Sequence, residues 1–160
     1  MLSEESSLID RIERLEAFRT ATAAIAASGV ACDAGPYDPE EATGGWHTDG
    51  EFVNGEMGYQ GIGAIRDFFA GLSATFTLHI FTNIEIQDHD VETNRTTVHC
   101  YGLEAPSLAG VAHFGAFTHL IVQERQNAIT RCRRWCQRIH LITPALAGWV
   151  RGPKIADQTS

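Results

Sequence analysis

The sequence predicts an α+β fold: a cone-shaped α+β barrel in which three N-terminal helices pack on a strongly curved, mainly antiparallel sheet that encloses an apolar cavity. Two observations support this prediction. Apolar residues recur at helical spacing up to Leu72, and from Thr75 onward they alternate with a period of two. Short turn segments separate the alternating stretches, so neighbouring strands should pair antiparallel. A curved sheet with helices across its open side leaves a cavity between the two layers.

Each of the three helices has its own sequence signal. The first helix is predicted to end at Gly29. The evidence for it is a set of apolar residues at helical spacing, which are Leu8, Ile12, Leu15, Phe18 and Ile25. A short second helix is predicted over 39–44, because Asp38 can cap it, Pro39 suits its first position and Glu41 completes a capping box. The third is predicted in the stretch GIGAIRDFFAGL, after a strand around Glu51–Val53 and a glycine-rich turn.

The sheet is predicted from four long strands, over 75–87, 95–105, 111–124 and 129–142. The first of them contains the stretch TLHIFTNIEI, whose two faces differ in character. One face is apolar, and the other mixes polar and aromatic residues, namely Thr77, His79, Phe81, Asn83 and Glu85. In the cone-shaped arrangement this mixed face points into the cavity.

Size and charge limit the classes of partner. The 160 residues fit a single domain, 1–160, and the net charge of −8 argues against nucleic acid or an anionic membrane. There is no signal peptide, no apolar run of membrane-spanning length and no CxxC pair among Cys32, Cys100, Cys132 and Cys136. These features predict reduced thiols and a cytoplasmic location.

The order of the motifs points to a family. A helix ending in CD, a capped helix, WxxDGEF, GYQG, another helix, HIFTN and an antiparallel meander follow one another along the chain. This order resembles the SnoaL-like branch of the nuclear transport factor two-like superfamily, which includes polyketide cyclases, scytalone dehydratase and hexachlorocyclohexane dehydrochlorinase. The resemblance covers about 7–146 and leaves a C-terminal tail, 147–160. That tail carries apolar residues that are predicted to close the cavity mouth or to pack on a neighbouring protomer.

The resemblance implies a set of site residues. In the dehydratase and dehydrochlorinase members an aspartate after the first helix pairs with a histidine on the first long strand, and these positions are Asp33 and His79 here. Phe52 matches an aromatic residue that lines the family's cavity, and Arg125 is the nearest match to a cavity arginine. The dehydrochlorinase also has a lysine shortly before the aspartate. This chain has AASGVACD there, which counts against dehydrochlorination as its reaction.

The two residues together support base chemistry. An imidazole with its ordinary pKa near 6.5 is a usable base at neutral pH, and a carboxylate that accepts its N–H fixes the tautomer and stabilises the imidazolium. The predicted function is a small cofactor-free lyase or isomerase, in which Asp33 orients His79. It would dehydrate, isomerise or cyclise a hydrophobic cyclic metabolite or xenobiotic.

Further residues are predicted to line the substrate pocket: Phe52, Tyr59, Phe81, Asn83, His99, Tyr101, Phe117 and Arg125. A metal site built from His99, His113 and His119 would lack the local spacing that zinc sites show, so no metal is predicted. The expected partners are a small hydrophobic substrate and further copies of the chain in a homo-oligomer, a dimer or trimer. Neither nucleic acid nor membrane is expected.

Two alternatives remain open at this stage. The same fold serves as non-catalytic ligand-binding modules and as scaffold subunits of larger complexes, such as the β subunits of ring-hydroxylating dioxygenases. An epoxide hydrolase would need paired carboxylates around a water, and Asp49, Glu51 and Glu104 supply carboxylates. The Asp33–His79 pair distinguishes the lyase hypothesis from the non-catalytic role, because a scaffold has no need of a carboxylate that orients a buried histidine.

Overall fold

The structure is a computed structural model that describes residues 2–33, 38–72, 77–108 and 111–143. Its helices are α1 (Leu2–Asp33), α2 (Pro39–Thr43) and α3 (Ile62–Ala70), as the sequence predicts in number and order. Asp38 caps α2, and its side chain accepts the backbone N–H groups of Glu40 and Glu41. This is the predicted cap, and it fixes where the chain turns after α1.

The strands form a sheet that the helices cover on one side. They are β1 (Trp46–Asn54), β2 (Met57–Gln60), β3 (His79–Asp90), β4 (Arg95–Glu104), β5 (Ser107–Leu108), β6 (Val111–Ala112), β7 (Gly115–Gln126) and β8 (Ile129–Ile142). Six of them form one sheet in the order β2-β1-β8-β7-β4-β3, and β5 pairs with β6 separately. Only β1 and β8 pair in parallel within the large sheet, so the prediction of a mainly antiparallel sheet is confirmed.

Two predicted segments between and within the strands differ from the structure. The glycine-rich turn after β1 contains a strand, because Phe52 pairs with Tyr59 in a hairpin. The predicted strand 111–124 is divided into β6 and β7, since β6 leaves the sheet to pair with β5, and His113 N–H donates to the carbonyl of Pro106 at 2.9 Å. The predicted start of the first long strand, 75–76, and the predicted tail 147–160 lie outside the described residues.

Gly29 does not end α1, which continues for four more residues to Asp33. A Cβ at Gly29 would lie 3.1 Å from Phe81 Cε2 and 3.5 Å from His79 Cβ. The glycine therefore lets the last turn of the helix approach β3 closely. This close approach brings Asp33, at the end of α1, to the start of β3.

A bulge in β3 changes which residues face inward. Asn83 adopts φ 51°, and the register between β3 and β4 shifts between Thr82 and Glu85. Before the bulge the partly buried positions are His79 and Phe81, and after it they are Ile84 and Ile86. The bulge bends the strand and increases its twist, which contributes to the curvature of the sheet.

The core lies where α1 and α3 meet the inner face of the sheet. Its buried members are Ala21, Ile25, Trp46, Phe52, Ile65, Val98, Cys100, Ile121, Cys132 and Trp135. All four cysteines of the chain are free thiols. None of the helices in the described part of the chain combines the length and the apolarity needed to cross a membrane.

Candidate functional site

The last residue of α1 holds the first residue of β3 at two points. Asp33 Oδ1 accepts the backbone N–H of His79 at 2.8 Å and the imidazole Nδ1–H at 2.7 Å. A carboxylate at a helix C-terminus is electrostatically unfavourable, and these two hydrogen bonds offset that cost. With the proton of a neutral imidazole on Nδ1, Nε2 carries the free lone pair. The geometry therefore presents His79 as an oriented base.

His79 opens onto a small cavity of about 80 Å³ between the helices and the sheet. Most of its wall is apolar, and the aromatic part forms a continuous cluster in which Trp46 stacks on Trp135 and Phe52 contacts Phe68. The lining residues are Ser28, Gly29, Cys32, Ala42, Trp46, Phe52, Asn54, Phe68, Phe69, Leu72, His79, Phe81, Glu104, Trp135 and Gln137. An apolar lining with a few polar groups is typical of small-molecule sites, and the volume of about 80 Å³ is below the roughly 300–1,000 Å³ of most such pockets.

The polar groups beside His79 come from β4 and β8. Gln137 Nε2 donates to Glu104 Oε1 at 2.6 Å, and both residues line the cavity. Burial raises the pKa of Glu104, although the nearby His79 and the hydrogen bond from Gln137 act in the opposite direction. The cavity thus holds a carboxyl group whose pKa lies above its ordinary value.

Cys32 is the remaining ionisable group on the cavity wall. Burial, together with the nearby acidic groups of Glu104, Asp33 and Glu41, raises the pKa of its thiol to about 12. The thiol is therefore protonated at neutral pH and is a poor nucleophile. It contributes a small apolar surface to the wall.

The predicted pocket residues on β1, β3 and β7 have different positions. Phe52 and Phe81 line the cavity. Tyr59 packs behind Phe52, with its hydroxyl donating to Met57 Sδ at 3.6 Å, and Phe117 is buried against His119. Neither Tyr59 nor Phe117 belongs to the lining. Asn83 is exposed at the bulge and does not face the cavity, because the bulge turns the chain at this position.

Three further predicted pocket residues lie away from the cavity. His99 and Tyr101 are on the outer face of β4. Val98 and Cys100 alternate with them along the strand and are fully buried on the inner face. Arg125 is at the far end of β7, where its guanidinium lies 3.9 Å from Glu16.

The polar groups considered for other chemistries are also dispersed. His119 points inward, His99 points outward, and His113 hydrogen-bonds to Thr143. Within the described ranges, no group of three His, Cys, Asp or Glu side chains is placed so that it could bind a metal ion.

Asp49 and Glu51 pair with arginines of β8 near the surface, at 3.0 Å and 2.9 Å respectively. Two of the three carboxylates considered for epoxide opening are therefore engaged outside the cavity.

Sequence reasoning missed several residues of the site. Gln137 lies in the basic stretch RCRRWCQR, where arginines stand on both sides of it. Period-two alternation places Trp135 and Gln137 on one face, and a buried tryptophan on that face would have indicated an inward glutamine. Glu104 was considered only as a carboxylate for epoxide opening. Its position opposite His79 depends on strand register, which the sequence does not specify.

Solved structures of other proteins share this fold. A candidate scytalone dehydratase from Novosphingobium aromaticivorans matches with a TM-score of 0.75 and 18% identity, over 83% of this chain and 90% of that chain. The hexachlorocyclohexane dehydrochlorinase LinA-type3 from Novosphingobium barchaimii matches with a TM-score of 0.69 and 18% identity, over 86% and 95% respectively. An NTF2-like protein with a cystatin-like fold from Novosphingobium aromaticivorans matches with a TM-score of 0.68 and 20% identity, over 91% and 96%.

At these identities the likeness establishes the fold. The chain has the cone-shaped α+β fold of nuclear transport factor two-like, SnoaL-like proteins, as the order of its motifs predicts. No family model matches the sequence, and no curated protein matches it.

Proposed function

We propose that the protein is a lyase or isomerase in which the Asp33–His79 dyad removes a proton from a hydrophobic cyclic substrate. The observation that supports this most directly is the pair of hydrogen bonds from His79 to Asp33 Oδ1, at 2.8 Å and 2.7 Å, beside an apolar cavity. Here the carboxylate fixes both the backbone and the ring, which is the arrangement that a general base requires.

The dyad divides the work of proton removal between its two members. His79 Nε2 takes a proton from a carbon next to a carbonyl group, and the imidazolium that forms is stabilised by the carboxylate at Nδ1–H. Asp33 keeps its charge through the step and orients the ring. Dehydration, double-bond isomerisation and cyclisation all begin with such a proton transfer, so one dyad serves each of these reactions.

The cavity wall indicates the kind of substrate. Aromatic rings from β1, α3, β3 and β8 surround an enclosed space, which favours a small planar or cyclic molecule. Glu104 and Gln137 provide hydrogen-bonding groups at the end near His79, where a carbonyl or hydroxyl group would lie. The names of two structural neighbours, a dehydratase and a dehydrochlorinase, both denote eliminations, which is consistent with this reaction class.

The test measures proton removal from carbon directly. Cyclohexanone in D₂O exchanges the protons next to its carbonyl group, and NMR follows the loss of their signal. We expect the protein to accelerate exchange and His79→Gln to lower that acceleration by about 10²–10⁴-fold. Asp33→Asn should also lower it, because an amide can donate to Nδ1 and favour the wrong tautomer.

His140→Gln is the matched control, since His140 is an exposed histidine on β8. It should leave the exchange rate unchanged. Equal exchange rates for the wild-type protein and His79→Gln would contradict the proposed function and favour a ligand-binding or scaffold role.

A further inference from the structure

Glu104 and His79 face each other across two neighbouring strands. His79 is the first residue of β3, Glu104 is the last residue of β4, and the two are direct partners in the antiparallel register. Directly opposite residues in such a pair have Cβ atoms about 4.5–5.5 Å apart. Both side chains line the same cavity. A molecule bound there would therefore meet the imidazole and the carboxyl group on the same side.

The position of Glu104 allows it to hold a proton. Gln137 Nε2 donates to Oε1 at 2.6 Å, so the proton of a neutral carboxyl group belongs on Oε2. Among the described residues that line the cavity there is neither lysine nor arginine to stabilise a carboxylate. Burial raises the pKa of Glu104, and the nearby His79 and the hydrogen bond from Gln137 offset only part of this effect.

We propose that Glu104 is the general acid of the site, which protonates the leaving oxygen when the Asp33–His79 base takes part in an elimination of water. This inference rests on the proposed function, because it assigns the partner of the His79 base. It also selects among eliminations. Hydroxide is a poor leaving group and needs a proton as it departs, whereas chloride or a carboxylate leaves without one. An acid next to the base is useful for dehydration and unnecessary for loss of chloride.

The step balances with the groups present. His79 Nε2 takes the proton from the carbon beside the carbonyl group, and the electron pair of that C–H bond becomes the C=C bond. The C–O bond of the β-hydroxyl group breaks, its electron pair stays on oxygen, and the Glu104 proton completes a water molecule. Transfer of one proton from the imidazolium of His79 to the carboxylate of Glu104 then restores both groups.

Gln137 acts as a positioning residue in this arrangement. Its amide holds Glu104 Oε1 and thereby directs Oε2 away from β8. A carboxyl group held in this way presents its proton to the substrate in a fixed direction.

The first test needs no substrate. Infrared spectra in D₂O at pH 7 should contain the C=O stretch of a protonated carboxyl group, and Glu104→Gln should remove it. Glu85→Gln, which alters an exposed carboxylate on β3, should retain it. A wild-type spectrum at pH 7 with no protonated carboxyl band would overturn the assignment of Glu104 as the acid.

The second test varies the leaving group on one ring. β-Hydroxycyclohexanone and β-acetoxycyclohexanone both give cyclohexenone, which ultraviolet absorbance detects. We expect Glu104→Gln to lower kcat for the hydroxy compound by about 10²–10⁴-fold relative to the wild type. Its kcat for the acetoxy compound should stay within about threefold of the wild-type value. Activity on the acetoxy compound also shows that the variant is folded. In the wild type, the rate for the hydroxy compound should fall as pH rises through the raised pKa of Glu104.

The outcomes separate the two proposals. Suppose that His79→Gln loses both reactions, and that Glu104→Gln either keeps both reactions or loses both to the same extent. The assignment of His79 as the base is then retained, and the assignment of Glu104 as the acid fails. If the wild-type protein turns over neither compound although the protonated carboxyl band is present, the substrate class is wrong. If His79→Gln retains both reactions, the proposed function itself fails.

Discussion

His119 is an ionisable side chain held inside the sheet in its neutral form. It is 1% exposed, and its Nδ1 accepts a hydrogen bond from Trp135 Nε1 at 3.0 Å. The proton is therefore on Nε2, which has no hydrogen-bond partner among the described residues. A Cβ on Gly102 would lie 2.0 Å from Nε2, so a glycine is needed at that position of β4. Burial, together with the nearby His79 and His99, lowers the pKa of His119 to about 3.

This histidine should make the protein sensitive to mild acid. An unfolded histidine titrates near 6.5, so between pH 6.5 and about 3 the unfolded chain binds a proton that the folded chain does not. Stability therefore falls as pH falls, by about 2 kcal/mol at pH 5 relative to neutral pH. The side chain of His119→Gln can still accept the hydrogen bond from Trp135. We expect the urea midpoint of this variant to fall less between pH 7 and pH 5 than the midpoint of the wild-type protein.

The control for this comparison is His140→Gln, which changes an exposed histidine. It should keep the acid sensitivity of the wild-type protein. If His119→Gln and the wild type lost the same free energy of unfolding between pH 7 and pH 5, His119 would not be the buried neutral group that the structure describes.

At the scale of elements, the bulge at Asn83 sets the inward face of β3. A residue with φ 51° is in the left-handed region, which asparagine tolerates better than most residues and β-branched residues tolerate poorly. We expect Asn83→Gly to be nearly neutral and Asn83→Val to lower the free energy of unfolding by about 1–2 kcal/mol. Urea denaturation measures both differences.

The matched control is Glu85→Val, since Glu85 is an exposed position on the same strand beyond the bulge. Valine favours extended backbone, so this variant should be neutral or slightly stabilised. An Asn83→Val protein as stable as Glu85→Val would argue that the strand is regular at residue 83.

Elements with strong local signals were predicted well. Strand β8 was predicted over 129–142 and occupies Ile129–Ile142, and Asp38 caps α2 as predicted. The bulge was not predicted, because a single residue with positive φ leaves no period or composition signal. Alternation correctly grouped His99 with Tyr101, but it cannot tell which face is inward. That choice depends on Val98 and Cys100 packing against other elements.

The same limit explains which parts of the site could be predicted. Asp33 and His79 were found as a pair because the motifs around them keep a recognisable order along the chain. Glu104 and Gln137 come together only through the registers of β4 with β7 and of β7 with β8. Long-range register is a property of the whole sheet, and a single sequence does not contain it.

At the scale of the whole molecule, the outer face of the sheet carries an apolar row. Ile80 is opposite Leu103, Leu103 is opposite Ala116, and Ala116 is opposite Leu141. Ile80, Leu103 and Leu141 are all exposed, and Tyr101 and Leu120 extend the same surface. The first half of α1 exposes a second set of apolar residues, Leu8, Ile12, Leu15 and Phe18. A continuous apolar surface of this kind is typical of protein–protein interfaces.

We propose that further copies of this chain cover the outer sheet face and form a dimer or trimer. The row runs across β3, β4, β7 and β8, so copies of the chain can bury it against one another around Leu103. A carboxylate placed at the centre of such a contact would be buried without a partner. We therefore expect Leu103→Glu to be a monomer, whereas the wild-type protein is a dimer or trimer, as measured by light scattering coupled to gel filtration.

Val91→Glu provides the comparison, because Val91 is an exposed apolar residue in the turn between β3 and β4. This variant should assemble like the wild type, since the turn lies away from the apolar row. A wild-type protein that is monomeric at all concentrations, and that assembles only with a different protein, would instead assign the outer face to a hetero-complex. It would then favour the scaffold role over the self-assembled enzyme.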